Sequence, residues 1–253
     1  MQEIYGSLTD GKGEEDPMTK ALDLAVCMAH PDDECLVAGA LMTQSVNEGL
    51  RVGVFLATAG ESSDHPSLSG QALGDLRLSE SAKALGVLDV PPPFSPRLPD
   101  GELMNHRKAL SVALDAWLTE MRPKKVVTYG LDGGYGHPDH IAVTQTLIEL
   151  NRNGAVDLWQ AVFPEGVFDE LRGFLSRVHP KLLSEAAFHR VVKPKLVLNS
   201  LELFKQKKAA LELFETQLQG RRVESFLGKR AMRHLLKEEQ FAPMEKNDED
   251  REC

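Results

Sequence analysis

Leu22-Asp23-Leu24-Ala25-Val26-Cys27-Met28-Ala29 runs straight into His30-Pro31-Asp32-Asp33-Glu34, and Glu34–Asn47 then follows with helical spacing. A run of eight residues, apolar but for Asp23 and ending at a polar turn, reads as a strand buried on both faces. The helix has Gly49 as its stop. A buried strand feeding a helix through a short polar loop is the opening unit of a parallel α/β sheet.

The pattern repeats outward. Arg51–Thr58 reads as a second strand, followed by a polar loop over Ala59–Gly74 and a helix over Asp75–Leu85. Pro91–Pro93 and the Asp100-Gly101 turn make an irregular connection to a helix over Asn105–Met121, which stops before Pro123. Val126–Tyr129 is a third strand, Gly130–Gly136 a glycine-rich loop, Ile141–Asn151 a helix and Leu158–Phe163 a fourth strand. Gly166–Pro194 has a mixed pattern. Leu201–Gln219 and Glu224–Glu239 read as two closing helices. The alternation predicts an α/β, Rossmann-like single domain, a mostly parallel sheet flanked by helices, with its site at the C-terminal ends of the strands. Residues 1–19 read as a flexible leader, with Met18 as an alternative start, 20–243 as the domain and 244–253 as an acidic disordered tail.

Composition narrows the class. The chain has 253 residues and a formal net charge of −9, which disfavours nucleic acid as a partner. No stretch approaches the ~20 apolar residues of a membrane span. Three cysteines, Cys27, Cys35 and Cys253, form neither a disulfide framework nor a CxxC site and suit a reducing cytoplasm. Cys35 reads as a packed side chain rather than a ligand. A homo-oligomer stays open.

The chemistry gathers in two loops. His30-Pro31-Asp32-Asp33-Glu34 follows the first strand, and Gly133-Gly134-Tyr135-Gly136-His137-Pro138-Asp139-His140 follows the third. Strand C-termini of a parallel sheet share one edge, so loops more than 100 residues apart meet there. Two imidazoles and a carboxylate are a ligand set for a catalytic zinc with one position left for water. The same set suits iron(II), so the metal stays open between Zn²⁺, Fe²⁺ and other divalent ions. Asp32 beside the ion reads as a base, and His137 as a polariser or acid with Asp139 fixing its tautomer. An Asp pair at a helix start ordinarily caps the helix, and a lone HxxH is ordinarily solvated. Two such clusters, both at strand ends, exceed coincidence. Gly133–Gly136 matches neither GxGxxG nor GxxxxGK[ST], which argues against nucleotide binding.

These two motifs resemble the signature of the PIG-L / LmbE-like zinc-dependent de-N-acetylases, whose bacterial branches include the mycothiol- and bacillithiol-pathway deacetylases. The likeness covers about residues 22–150. It implies a hydrolase removing acetyl from an N-acetylglucosamine-containing small molecule, with one Zn²⁺ per chain on His30, Asp33 and His140. It further implies Asp32 as general base, His137 as oxyanion stabiliser or acid oriented by Asp139, and Tyr135 as an aid at the carbonyl. Softer matches place Glu61 of Thr58-Ala59-Gly60-Glu61, Arg77 and Asp100 against the sugar. The Lys208…Gln217 element reads as packing, and Leu158–Lys195 has no counterpart. The alternatives are an amidase cleaving a thiol–glycoside conjugate and a catalytically silent carbohydrate-binding relative. An iron oxygenase shares the ligands but belongs on a β-barrel.

Overall fold

Leu24–Met28 forms strand β1, and all five of its residues are buried. They alternate between two cores. Leu24, Val26 and Met28 face Leu36, Val37 and Leu41 of helix α1 (Asp33–Asn47), while Ala25 and Cys27 face Leu110, Leu114 and Trp117 of α3 (Arg107–Met121). A strand apolar on both sides is what helices covering both faces of a sheet require. The structure is a computed structural model and describes residues 21–178, 191–199, 201–225 and 227–244.

The other elements are β2 (Val52–Leu56), α2 (Gly70–Val87), β3 (Lys125–Thr128), the single turn α4 (Gly133–Gly136) and α5 (Pro138–Leu150). They are followed by β4 (Asp157–Ala161), α6 (Glu165–Val178), β5 (Leu196–Leu198), α7 (Leu201–Leu211), α8 (Glu215–Leu218), α9 (Lys229–Leu235) and β6 (Glu239–Pro243). The strands lie in the order β2-β1-β3-β4-β6-β5. β2, β1, β3 and β4 are parallel, and β6 runs antiparallel to both neighbours. The chain moves outward from β1 to β2 and then returns to β1's other side with β3. The β1/β3 boundary is therefore the topological switch point, where ligands of such sheets bind. The two motif loops leave the sheet from these two strands.

Several expected elements differ in detail. The second helix begins at Gly70 rather than Asp75. The mixed region yields α6, with residues 179–190 outside the described part. Leu201–Gln219 is two helices because Glu80 supplies a carboxylate to Thr216, at 3.0 Å to its amide and 2.5 Å to its hydroxyl, and so starts α8 anew. Glu224–Glu239 is not one helix either. Gly228 at φ +104° breaks it, Glu170 caps α9 through the Arg230 and Ala231 amides (3.2 and 2.5 Å), and Glu239–Pro243 pairs as a strand. Within α1, Ala38 departs from helical geometry (φ −129°, ψ 16°). Just beyond it, the Ala40 and Leu41 amides donate to the Glu239 carboxylate at 2.9 Å each, and Lys207 Nζ donates to the same group at 2.8 Å.

The expected leader lies outside the described residues, as does the expected tail apart from Met244, whose amide donates to Leu158 O at 2.8 Å. Among the described residues no helix is long and apolar enough to cross a membrane.

Candidate metal centre

Between the end of β1 and the start of α1 the chain must reverse in four residues, Ala29 to Asp32. Asp32 does this at φ +103°, a conformation that costs a non-glycine residue about 1–3 kcal/mol. Four bonds hold it there. Its amide donates to Glu34 Oε2 (3.0 Å), and its carbonyl accepts the Leu36 amide (2.9 Å). Arg77 Nη2 donates to Pro31 O (2.6 Å) and Asp32 Oδ2 (3.2 Å). Ser81 in turn donates to Glu34 Oε1 at 2.6 Å.

The reversal aims His30 and Asp33 at His140, which arrives on the first turn of α5. His30 Nδ1, Asp33 Oδ2 and His140 Nε2 form a triangle with every side 3.2 Å. Donors on a tetrahedral ion with bonds of ~2.0–2.2 Å stand about 3.3–3.6 Å apart, so the 3.2 Å spacing is close to what a zinc-type ion requires. The outer atoms support this. His140 Nδ1 faces Gly133 O at 3.0 Å, a contact that takes its proton and leaves the Nε2 lone pair for the triangle. Asp33 Oδ1 accepts from the Tyr129 hydroxyl at 2.7 Å, so Oδ2, which also accepts the His30 amide at 3.0 Å, is the oxygen in the triangle. Tyr129 also stacks flat on His140 (4.0 Å, 4°).

All of these groups are buried, so their charges govern one another. Burial opposes charge on His30, but Asp100, Asp139 and Asp33 outweigh it and hold its imidazole well above the ordinary value. Burial likewise opposes ionisation of Asp33, and His140 and His30 overcome it to hold the carboxyl well below the usual range. Asp32 goes the other way: burial, opposed by Arg77 and reinforced by Asp33 and Glu34, lifts it to about 8.

His137 sits at the N-cap of α5, its ring 4.6 Å from that of His140 and 4.8 Å from that of His30. The Asp139 amide donates to its Nδ1 at 3.2 Å, which puts the proton of the neutral ring on Nε2. Burial and the neighbouring imidazoles hold His137 well below the ordinary value. Its tautomer is thus fixed by the Asp139 main chain and not, as the sequence suggested, by its side chain. The Asp139 carboxylate instead accepts from Gly101 and Leu103 (2.8 and 3.0 Å) and approaches His30 Nε2 at 3.2 Å. Tyr135 packs edge-on against His140 with ring centres 5.0 Å apart.

The three residues expected at the sugar engage the protein's own loops. Arg77 is 4% exposed and spends its two terminal nitrogens on Gly60 O (2.8 Å), Pro31 O and Asp32. Glu61 Oε1 accepts the Asp100 amide at 2.9 Å. Asp100 Oδ1 lies 3.0 Å from His30 Nε2. Sequence reasoning missed Tyr129, Glu34 and Ser81 as supports. A tyrosine at the last position of a predicted strand, facing a motif loop, was the available signal for the first.

Fold and site together define an α/β protein with a candidate His/Asp metal centre at the switch point of its sheet. Residues 25–151 match the family model described as PIG-L: GlcNAc-PI de-N-acetylase, and the chain belongs to this family. It is 32% identical over 177 residues to the 1D-myo-inositol 2-acetamido-2-deoxy-alpha-D-glucopyranoside deacetylase of Corynebacterium urealyticum, covering 55% of this chain and 53% of that protein. The chain thus spans about half the length of the curated relatives it matches. Among solved structures it resembles the A40926 pseudoaglycone deacetylase Dbv21, with a TM-score of 0.65 and 20% identity over 88% of this chain and 96% of that one. It also resembles GalB, the 4-carboxy-2-hydroxymuconate hydratase of Pseudomonas putida KT2440, with a TM-score of 0.56 and 16% identity over 88% and 97%. One fold thus carries both a deacetylase and a hydratase, so the activity must be argued from the site.

Proposed function

We propose that the chain is a zinc-dependent hydrolase that removes the acetyl group from an N-acetylglucosamine-containing small molecule. One observation carries this reading: three lone-pair donors 3.2 Å apart stand beside a second carboxylate, Asp32, that belongs to no side of the triangle. A binding module needs the first feature and has no use for the second.

His30, Asp33 and His140 would hold the ion, which when bound acidifies a water and polarises the acyl oxygen. Asp32, fixed by Arg77, takes the proton from the attacking water as its oxygen bonds to the acetyl carbon. His137 presents Nε2–H to the oxygen that gains charge, as a neutral donor at a helix N-terminus. Tyr135, its ring centre 6.3 Å from that of His137, assists at the same oxygen. As the C–N bond breaks, the proton held by Asp32 passes to the departing nitrogen, giving acetate and a free amine. Residues 20–243 form the deacetylase domain in this reading. The excess of acidic residues favours a small-molecule partner over nucleic acid, and a cytoplasmic setting suits the two described cysteines, which are buried and free.

The relatives' names make 1D-myo-inositol 2-acetamido-2-deoxy-α-D-glucopyranoside the first substrate to try. Acetate release should be followed for it, for simpler N-acetylglucosaminides and for a thiol–glycoside conjugate, with zinc added and with zinc stripped. Asp32→Asn should keep the metal and lose ~10²–10⁴ in rate, the range of a positioned base. Wild-type protein that loads zinc yet releases acetate from none of these would sink the reading.

A further inference from the structure

Asp32 borders a cavity of about 10 Å³, room for one group the size of a water molecule. The rest of its wall is Leu211, Phe214, Gln217, Leu218, Val223 and Met232, and all but Gln217 are apolar and buried. These six come from the end of α7, from α8 and its N-cap, from the turn Val223–Ser225 and from α9. None lies in the 25–151 stretch that carries the family likeness.

The wall is anchored to the loops of the site. Gln217 Nε2 donates to Ser63 Oγ at 3.0 Å, and Gln219 Nε2 donates to Asp64 O at 2.7 Å, just beyond Glu61 in the loop before α2. Glu80 holds the start of α8, and Glu170 the start of α9, which carries Met232. Leu218, Val223 and Met232 are thus held at a set distance from Asp32. Hydrolysis at an acyl carbon dictates what must lie near the base. The acyl oxygen faces His137 and the triangle of donors, and the attacking water faces Asp32. The nitrogen carries the sugar, which is too large for the cavity and points to solvent. The remaining substituent is the alkyl group of the acyl, one bond from the carbon that the water attacks. An apolar recess bordered by Asp32 is where that group leaves water.

We propose that Leu218, Val223 and Met232 wall the acyl pocket and determine specificity, admitting the methyl of an acetyl group and turning away longer acyl chains. The proposal rests on the hydrolase reading of the site, with Asp32 as base. It assigns acyl selection to the C-terminal helices of this chain and not to the two motif loops. A recess for one small group has no room for the next methylene, and one methylene in an apolar pocket is worth about 10–200-fold in kcat/KM.

The test takes the N-acetyl, N-propionyl and N-butyryl forms of the glucosaminide from which wild type releases acetate fastest. Wild type should favour acetyl over propionyl by about 10-fold or more in kcat/KM. Met232→Ala and Val223→Ala enlarge the recess from two different elements, so the test survives if one of them fails to fold. Each should narrow that preference by about 10-fold, with zinc content unchanged. Val223→Leu, which fills the recess, should slow acetate release. A readout independent of turnover comes from ¹³C-methyl methionine spectra. The Met232 signal, assigned by its loss in Met232→Ala, should shift when the zinc-loaded wild type is saturated with acetate. An acyl preference within two-fold of wild type in every folded variant would overturn the proposal. So would wild type that takes butyryl as readily as acetyl, or a Met232 signal that acetate leaves unmoved. Wild type that loads zinc yet releases acetate from no glucosaminide overturns the hydrolase reading, and this proposal with it; the other outcomes leave that reading standing.

Discussion

The Tyr129 hydroxyl donates to Asp33 Oδ1 at 2.7 Å while its ring lies flat on His140, so one buried side chain braces two of the three candidate ligands. Tyr129→Phe separates the two functions. The stacking survives and the bond to Asp33 is lost, leaving a buried carboxylate short of a donor at about 1–3 kcal/mol. Chelator competition should show metal affinity down about 10-fold, toward the lower end for an outer partner of a ligand. Affinity equal to wild type would mean that Asp33 is held without Tyr129.

Arg77 is expected to behave as part of the catalytic loop and not as a sugar contact. Its fork meets Gly60 O, Pro31 O and Asp32 at once, which a single ammonium does not reproduce. Arg77→Lys should lower thermal stability and kcat together, with KM little changed. Gly60→Ala should act alike, because Gly60 sits at φ +71° and an added Cβ would run into the Arg77 guanidinium. A pure KM defect in Arg77→Lys would return this residue to the sugar.

The buried pair Lys207–Glu239 gives a double-mutant test. Lys207→Met strands a carboxylate in the core and should cost about 3–5 kcal/mol in denaturant unfolding. Adding Glu239→Gln removes the stranded charge and should recover part of that loss. Recovery stays incomplete, since Ala40 and Leu41 use both carboxylate oxygens. If the double variant is no more stable than Lys207→Met, the charge is not what destabilises the single one.

Acid sensitivity should localise in part to Asp23 at the opposite end of the sheet. Burial raises its carboxyl, but the Arg51 amide (2.9 Å) and Lys124 (2.9 Å) outweigh it and hold the group below the ordinary value. A lowered carboxylate contributes stability above its unfolded value near pH ~4, and that contribution fades as pH falls through the folded value. Asp23→Asn should therefore be less stable than wild type at pH 7, with the gap closing below about pH 4. A gap constant from pH 7 to pH 3 would assign the loss to packing.

The first half of the chain was legible because its signals are local. The β1 run, the motif turns and the helices after them, read from Glu34 and Ile141 and found to start at Asp33 and Pro138, each lie within a few residues of their causes. The second half was not, because its helix starts depend on glutamates far away in sequence. Glu80 opens α8 from 136 residues before Thr216, and Glu170 opens α9 from 60 residues before Arg230. Local helical spacing around Phe214 and Gly228 carries no trace of either. The same limit applies within the site. The motifs show which residues gather, but His137 taking its partner from the Asp139 main chain, and Asp100 turning to His30, depend on how separate loops meet.

Glu239 has a consequence for where this protein can be cut. The stretch that carries the family likeness, 25–151, contains every candidate ligand. Yet inside its first helix the amides of Ala40 and Leu41 are satisfied by a carboxylate 199 and 198 positions downstream. A transplant or minimal fragment drawn along the boundary of likeness would keep the candidate metal residues and lose the group that finishes the helix carrying Asp33. During synthesis, too, that helix waits for its last acceptor until β6 has emerged. The unit that inheritance marks out and the unit that folds are therefore different lengths of chain.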